Sequence, residues 1–243
     1  MQLTIAKNRK AFSSIAAWKI IGEIVKRPNE RTTLGLDTGE SLTDVYEALA
    51  EIYEIYGFNT SRVCIFGTTE IAGLNHDCLR SRYNILMRKV VMPLGIYDEN
   101  FFTPMPFPEN LARECKAFED VIAARGGIDL QVLELGENGS IGLNYPGTPF
   151  KRKAFAGRIN PASRSFVQEE TDAVSDCERK GFTLGIGNIM QSRKVLLVAR
   201  GRNKAKIVHK ILCAPITEAV PASVLRLHPC SEIVLDEEAA AQL

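Results

Sequence analysis

Short runs of β-branched and other apolar residues alternate along the chain with longer amphipathic segments, and no other feature limits the possible folds as strongly. Apolar side chains at helical spacing predict helices at 11–26, 42–56, 81–91, 110–124, 203–212 and 236–243. Compact β-rich runs predict strands at 32–36, 63–66, 129–135, 194–199 and 231–235. This alternation predicts an α/β fold, a Rossmann-like open, mostly parallel sheet with helices on both faces. The proline-rich stretch 103–108 is predicted to be a loop within it, so that 1–243 forms a single domain.

The composition excludes several classes of protein. Apolar residues make up 45% and charged residues 24% of the 243 residues, which is ordinary for a globular protein. The net charge of +1 gives no sign of a nucleic-acid partner, and no apolar run approaches the roughly 18 residues of a membrane span. The first ten residues contain no apolar signal core, and none of the six cysteines forms a Cys-x-x-Cys pair. We therefore expect a cytoplasmic protein with reduced thiols.

Three junctions between strands and loops are candidates for a site, because ligands of an open parallel sheet bind beyond the carboxyl ends of its strands. These junctions are 37–41, 67–77 and 136–148. At the first, a turn of small residues precedes a helix whose free N–H groups favour an anion, although a plain helix cap explains Ser41 equally well. Four glycines lie within 136–147, which indicates either backbone close to a ligand or a tight structural loop.

Residues 133–147 read Leu-Glu-Leu-Gly-Glu-Asn-Gly-Ser-Ile-Gly-Leu-Asn-Tyr-Pro-Gly. This segment resembles a loop of the glucosamine-6-phosphate deaminase, or isomerase, family, which reads Leu-Gly-x-Gly-x-Asp-Gly-His-Ile-Gly-Phe-Asn-Glu-Pro-Gly. The family shares a superfamily with the 6-phosphogluconolactonases. Further blocks agree with the family in the same order, at 36–42, 66–74, 181–187, 201–205 and 221–228. The resemblance spans nearly the whole chain and implies a sugar-phosphate isomerase-like domain in amino-sugar metabolism.

The resemblance also implies a site for the phosphate of a sugar phosphate. In the family, a backbone loop with Thr or Ser, an Arg and a Lys hold this group. The matching positions here are Thr38, Gly39, Ser41, Arg164 and Lys204. Cationic side chains and loop amides are chemically suited to phosphate, whereas surface salt bridges would explain Arg164 and Lys204 without a ligand.

The family's catalytic residues are replaced. The resemblance places Thr69 at the Asp that takes the C2 proton, and Ser140 at the His that opens the sugar ring. Asn138 stands at the Asp that orients this His, and Tyr145 at the Glu that completes the relay. Thr, Ser and Asn are not bases near neutral pH, and Tyr titrates near pH ~10. The residues therefore do not predict the usual deaminase activity, and the lactonase relatives use the same lost His.

Two other residues are candidates for the missing acid–base role. Glu70 adjoins Thr69 and is a carboxylate, although the structural role of the family's Glu explains it as well. His76 lies on the loop after the second strand, where it is an acid or base of the site or a solvated loop residue. The three histidines at 76, 209 and 228 show no metal-ligand spacing. We therefore expect no metal, and the resemblance implies no cofactor.

Three interpretations remain open. The protein deaminates or isomerises an amino-sugar phosphate with altered machinery, or it binds a sugar phosphate without that chemistry, as a sensor or partner subunit. In the third interpretation, Asp37 and Glu40 prevent phosphate binding and the ligand is not phosphorylated. The expected partner is a small molecule rather than nucleic acid or membrane, and the resemblance implies a homo-oligomer.

Overall fold

The computed structural model of the protein describes residues 1–27, 29–159 and 180–243. Within these ranges the strands are β1 (Gln2–Ala6), β2 (Thr32–Leu36), β3 (Val63–Gly67), β4 (Thr69–Ile71), β5 (Phe101–Phe102), β6 (Leu130–Glu134), β7 (Phe155–Arg158), β8 (Lys180–Thr183), β9 (Lys194–Ala199) and β10 (Ser231–Asp236). The α-helices are α1 (Arg9–Val25), α2 (Glu40–Tyr56), α3 (Arg82–Leu86), α4 (Leu111–Ala124), α5 (Ile186–Ile189) and α6 (Ala205–Cys213). A π-helical turn, Met87–Val91, continues α3, and short 3-10 helices lie at Asp98–Asn100, Arg202–Lys204 and Pro221–Leu227.

The main sheet in the described ranges has seven strands, all paired in parallel, in the order β1-β10-β9-β6-β2-β3-β5. After β2 the chain builds outward to β3 and β5, and it then returns to the other side of β2 with β6, β9 and β10. The direction of winding therefore reverses between β2 and β6. In an open parallel sheet, this reversal marks the crevice in which ligands bind.

Apolar side chains pack on both faces of the main sheet. On one face, α1 and α2 bury residues such as Phe12 and Leu49 against the strands. On the other face, α4 and α6 contribute Phe118 and Ile211 to a second core. Successive side chains of a strand point to opposite faces, so the central strands belong to both cores. The predicted fold class, an open and mostly parallel sheet with helices on both faces, is confirmed.

A second sheet of three antiparallel strands, in the order β4-β8-β7, joins the main sheet where β3 ends. The junction is held by the N–H of Leu184, which donates to the carbonyl of Thr68 at 3.0 Å. The sequence did not predict this sheet, because its strands have only three or four residues each. Its position matters for function, since β4 brings Thr69 and Glu70 to the crevice.

Most predicted helices and strands are present, with boundaries that differ by at most two residues. Strand β1 was not predicted, and the helix predicted at 236–243 is wrong, because residues 237–242 form turns. The carboxylate of Asp236 accepts hydrogen bonds from the N–H groups of Ala239 and Gly201. These hydrogen bonds hold the start of the segment 236–243 in a local turn. A segment of this length does not form a helix without tertiary support. The loop prediction at 103–108 is confirmed.

No helix in the described part of the chain is long and apolar enough to cross a membrane. The cysteines in the same ranges, at 64, 78, 115, 213 and 230, are all free thiols. No cluster of His, Cys, Asp or Glu side chains there is arranged to hold a metal ion.

Candidate functional site

A cavity lies at the crevice between the carboxyl ends of β2 and β6. Its wall is formed by the loops that follow these strands, by β4, by the segment 140–145 and by Lys204. The lining residues are Asp37, Thr38, Gly39, Thr69, Glu70, Ile71, Arg82, Glu134, Leu135, Gly136, Ser140, Gly142, Leu143, Tyr145, Ile159 and Lys204. Carboxylates, cations and hydroxyl groups converge here on one concave surface, which is typical of a binding or catalytic site.

Asp37 directly follows β2 and carries a carboxylate into the cavity wall. Its Oδ1 accepts hydrogen bonds from the hydroxyl of Thr69 at 2.8 Å and from the N–H of Thr38 at 2.9 Å. The residue is only 5% exposed. Burial raises the pKa of Asp37, and the hydrogen bonds and the positive charge of Arg82 oppose this shift. Asp37 therefore places a proton acceptor beside Thr69.

A group of hydrogen-bond donors lies at the N-terminus of α2. Ser41 directs its N–H and its hydroxyl to the carboxylate of Glu134, at 3.1 and 2.9 Å. Lys204 is 7% exposed, and its Nζ donates to the carbonyl of Leu135 at 2.7 Å. Burial raises the pKa of Glu134, whereas the charge of Lys204 and the hydrogen bond from Ser41 lower it. These donors and the helix dipole are suited to an anion, and Ser41 directs its donors to the carboxylate of Glu134.

Glu70 is buried in β4, and backbone N–H groups hold its carboxylate. It accepts hydrogen bonds from the N–H groups of Ile71 at 2.8 Å, Arg82 at 3.0 Å and Tyr83 at 2.8 Å. The last two N–H groups belong to the first turn of α3, where the helix itself supplies no acceptor, so Glu70 acts there as a helix cap. Burial raises the pKa of Glu70, and the three backbone hydrogen bonds oppose the shift.

His76 lies outside the set of residues that line the cavity. Its ring stacks on Tyr83, with 3.9 Å between the centroids, and Tyr83 stacks in turn on Phe101. Burial lowers the pKa of His76, and the charge of Asp77 raises it. The structure therefore places His76 in an aromatic stack rather than beside Thr69.

The positions that correspond to the family's catalytic residues lie at the cavity. Thr69, Ser140 and Tyr145 line it. Asn138 supports the loop, since its Oδ1 accepts a hydrogen bond from the N–H of Ser140 at 3.0 Å. At these positions the wall offers hydroxyl groups instead of a histidine and carboxylates.

The residues predicted to hold phosphate are largely brought together. Thr38, Gly39 and Lys204 line the cavity, and Ser41 reaches its edge through Glu134. Arg164 lies outside the described residues.

Sequence reasoning missed three charged groups of the site. Asp37 was weighed only as a charge that repels phosphate, and Glu134 and Arg82 were not considered. A signal for Glu134 was present, because the second position of the family loop is glycine and this chain has Glu there. No sequence signal identifies Arg82, since the fold of β4 and α3 brings it to the cavity.

The family described as glucosamine-6-phosphate isomerases/6-phosphogluconolactonase matches residues 8–234 of this chain. The chain belongs to this family. Relatives within it include the glucosamine-6-phosphate deaminase of Thermoanaerobacter pseudethanolicus, which is 33% identical over 99% of this chain and 94% of the relative. The glucosamine-6-phosphate deaminase of Clostridium perfringens strain 13 is 32% identical over the full length of both chains.

Solved structures agree with this membership. A monomeric glucosamine-6-phosphate deaminase matches with a TM-score of 0.92 and 28% identity over 100% of both chains. The 6-phosphogluconolactonase of Trypanosoma cruzi matches with a TM-score of 0.79 and 19% identity, over 100% of this chain and 96% of the other, and so shares the fold. The family resemblance predicted from the sequence is confirmed.

Proposed function

We propose that the cavity binds a phosphorylated sugar of the amino-sugar class and that the family's usual deamination does not take place in it. One observation carries this proposal. Donors suited to an anion, from Ser41 and Lys204, remain at the carboxyl ends of β2 and β6, while Thr69 and Ser140 stand where the resemblance puts the base and the ring-opening histidine. Family membership supports the ligand class, because the relatives named above are glucosamine-6-phosphate deaminases.

The argument against the usual chemistry rests on proton transfer. A base that removes a proton from C2 of the sugar needs a pKa near the working pH and a free lone pair within reach. The hydroxyls of Thr69 and Ser140 do not meet the first condition, and the carboxylate of Glu70 already accepts three backbone hydrogen bonds. An enzyme accelerates a reaction only through contacts that are stronger in the transition state than in the bound substrate, so binding alone produces no turnover. Such a protein would serve as a sensor or partner subunit.

A second candidate function, deamination with aldose–ketose isomerisation, is favoured by Asp37. Its Oδ1 lies 2.8 Å from the hydroxyl of Thr69, so a carboxylate stands next to the position at which the resemblance puts the family's base. Burial raises the pKa of Asp37 above its ordinary value, which makes the carboxylate a stronger base. In this candidate Asp37 takes the proton, in place of the sequence candidates Glu70 and His76.

Thermal unfolding with glucosamine-6-phosphate and galactosamine-6-phosphate tests the binding proposal. A ligand at a hundredfold excess over its Kd should stabilise the protein by about 2.7 kcal/mol. Lys204→Ala should weaken binding at least about tenfold. Lys206→Ala is the matched control, because Lys206 is an exposed lysine two residues further along, in α6, and should leave the affinity unchanged. Failure of both sugar phosphates to stabilise the unmodified protein would contradict the proposal.

Ammonia release separates the two candidate functions. If the protein deaminates through Asp37, Asp37→Asn should abolish ammonia release from glucosamine-6-phosphate while the sugar phosphate still binds. If the protein only binds, the unmodified chain should release none.

We further propose that the protein is cytoplasmic, as expected from its sequence, and that it forms a homo-oligomer, as the resemblance implies. One solved relative is described as monomeric, so the assembly of this chain needs its own measurement. Light scattering on the purified protein decides it, since a mass of 26.9 kDa in solution would contradict the oligomer.

A further inference from the structure

We propose that Glu134 is an internal occupant of the anion-binding part of this cavity, so that a sugar phosphate binds only by displacing its carboxylate. We call this part the cradle and define it as Gly39, Ser41 and Lys204. The inference rests on the proposed function and specifies what limits affinity and selectivity at the same site.

The contacts of Glu134 are those that a bound anion would make. Its two carboxylate oxygens accept hydrogen bonds from the N–H and the hydroxyl of Ser41. Ser41 lies at the N-terminus of the 17-residue helix α2. The charge of Lys204 also acts on this carboxylate. A negative group at a helix N-terminus is stabilised by the helix dipole and by N–H groups that have no partner within the helix.

The cradle also has donors that Glu134 does not use. Lys204 is 7% exposed and makes one hydrogen bond to the described residues, to the carbonyl of Leu135. An ammonium group has three donors, so two remain for a ligand. The hydroxyl of Thr38, on the loop before α2, is buried and has no hydrogen-bond partner within the described ranges. A phosphate, with more acceptor oxygens than a carboxylate, would use this capacity.

Glu134 and a phosphate cannot occupy the cradle together. The carboxylate lies directly on the backbone of Gly39, where an added Cβ would be 2.7 Å from Cδ of Glu134. No space for a phosphate therefore remains between the loop and the side chain. A phosphate placed beside Glu134 would also be repelled by its charge and by that of Asp37, which itself raises the pKa of Glu134.

Glu134 is therefore a specificity-determining residue. Its carboxylate accepts the hydrogen bonds of Ser41, and it lowers the affinity for any phosphate by the free energy of its own displacement. The family loop has glycine at this position, whereas the rest of the loop in this chain keeps the family's frame. Discrimination between different sugar phosphates then depends more on groups outside the cradle, such as Asp37 and Thr69.

Calorimetric titration of Glu134→Ala and Glu134→Gln, beside the unmodified protein, tests this inference with glucosamine-6-phosphate and inorganic phosphate as probes. Glu134→Ala should bind both probes at least about tenfold more tightly, equivalent to about 1.4 kcal/mol. Glu134→Gln removes the charge but keeps the shape, and should give a smaller gain. Glu54→Gln is the control, because Glu54 is an exposed carboxylate near the end of α2, and it should change the affinity less than threefold.

The outcomes separate this inference from the proposed function. If the unmodified protein binds glucosamine-6-phosphate and Glu134→Ala gains nothing, the inference is overturned and the proposed function stands. If only the Glu134 variants bind, the inference stands and the native protein does not use a phosphorylated ligand. If neither binds either probe, both are overturned. Melting curves without ligand verify that the variants fold. If Glu134→Ala does not fold, Glu134→Gln provides the test.

Discussion

Asp37 and Glu70 are two buried carboxylates of one cavity with different surroundings. Glu70 accepts hydrogen bonds from three backbone N–H groups, whereas Asp37 accepts one from the hydroxyl of Thr69 and others from the N–H groups of Thr38 and Gly142. Sequence reasoning identified Glu70 through its neighbour Thr69, but it did not reveal that N–H groups at the start of α3 hold this carboxylate. This contact depends on where α3 begins in space, and β4 and α3 are separated by ten residues of irregular chain.

The free energy of unfolding should depend on pH through Asp37. The pKa of Asp37 in the folded protein is raised above its ordinary value of 3.8 by burial. The carboxyl group therefore contributes stability that is fully present below its unfolded pKa and is lost as the pH rises through the folded pKa. The amide of Asp37→Asn does not titrate. Urea unfolding from about pH 4 to about pH 8 should show the variant gaining stability relative to the unmodified protein as pH rises; a difference that stays constant would contradict this.

Removing the carboxylate of Glu70 should destabilise the protein. Glu70→Ala leaves the buried N–H groups of Ile71, Arg82 and Tyr83 without their acceptor, and the expected loss is at least about 2 kcal/mol. Glu54→Ala, at an exposed position of α2, should change stability by no more than about 0.5 kcal/mol. Denaturant unfolding measures both. If Glu70→Gln abolished a measured turnover and left stability unchanged, Glu70 would be a proton carrier instead of a cap.

At the scale of elements, hydrophobic pattern predicted the long helices and the central strands because each of these buries a regular set of side chains. The strands at 32–36 and 194–199 have the predicted boundaries. The pattern did not predict β4, β7 and β8, which pair with one another across long stretches of sequence. Strand β1 lies at the sheet edge with Leu3 and Ile5 exposed, and five residues with little burial give a weak signal.

Two glycines in helical contexts should respond oppositely to alanine. A Cβ on Gly185, which caps α5, would lie 2.6 Å from the carbonyl carbon of Arg152, so Gly185→Ala should cost about 1–3 kcal/mol. Gly22 in α1 has open space around it, and Gly22→Ala should gain up to about 1 kcal/mol from helix propensity. Thermal unfolding of the pair measures the contrast. Equal effects of the two substitutions would show that the contact at Gly185 is not tight.

At the scale of the whole molecule, the two cores share the strands of one sheet. Ile65 packs in one core and its neighbour Phe66 in the other, so neither core can be lost without exposing the other. We therefore propose that residues 1–243 form a single domain. Calorimetry should show one cooperative transition, and two separate transitions would contradict the proposal.

The reversal of winding between β2 and β6 is what makes the whole fold relevant to function. It brings Asp37 and Glu134, nearly a hundred residues apart in sequence, to one cavity. The sequence predicted a site beyond the carboxyl ends of the strands, at junctions that include 37–41 and 136–148. It did not predict that the carboxylate of Glu134, at the end of β6, accepts hydrogen bonds from Ser41 at the start of α2. This contact depends on the direction of a single side chain.

The most direct test of the account is one sample of the unmodified protein, titrated with glucosamine-6-phosphate while released ammonia is measured. We predict saturable binding without ammonia, because the cradle retains donors for the phosphate and the positions of the family's base and ring-opening histidine are Thr69 and Ser140. Ammonia released over many turnovers would contradict the account and would make Asp37 the first residue to substitute.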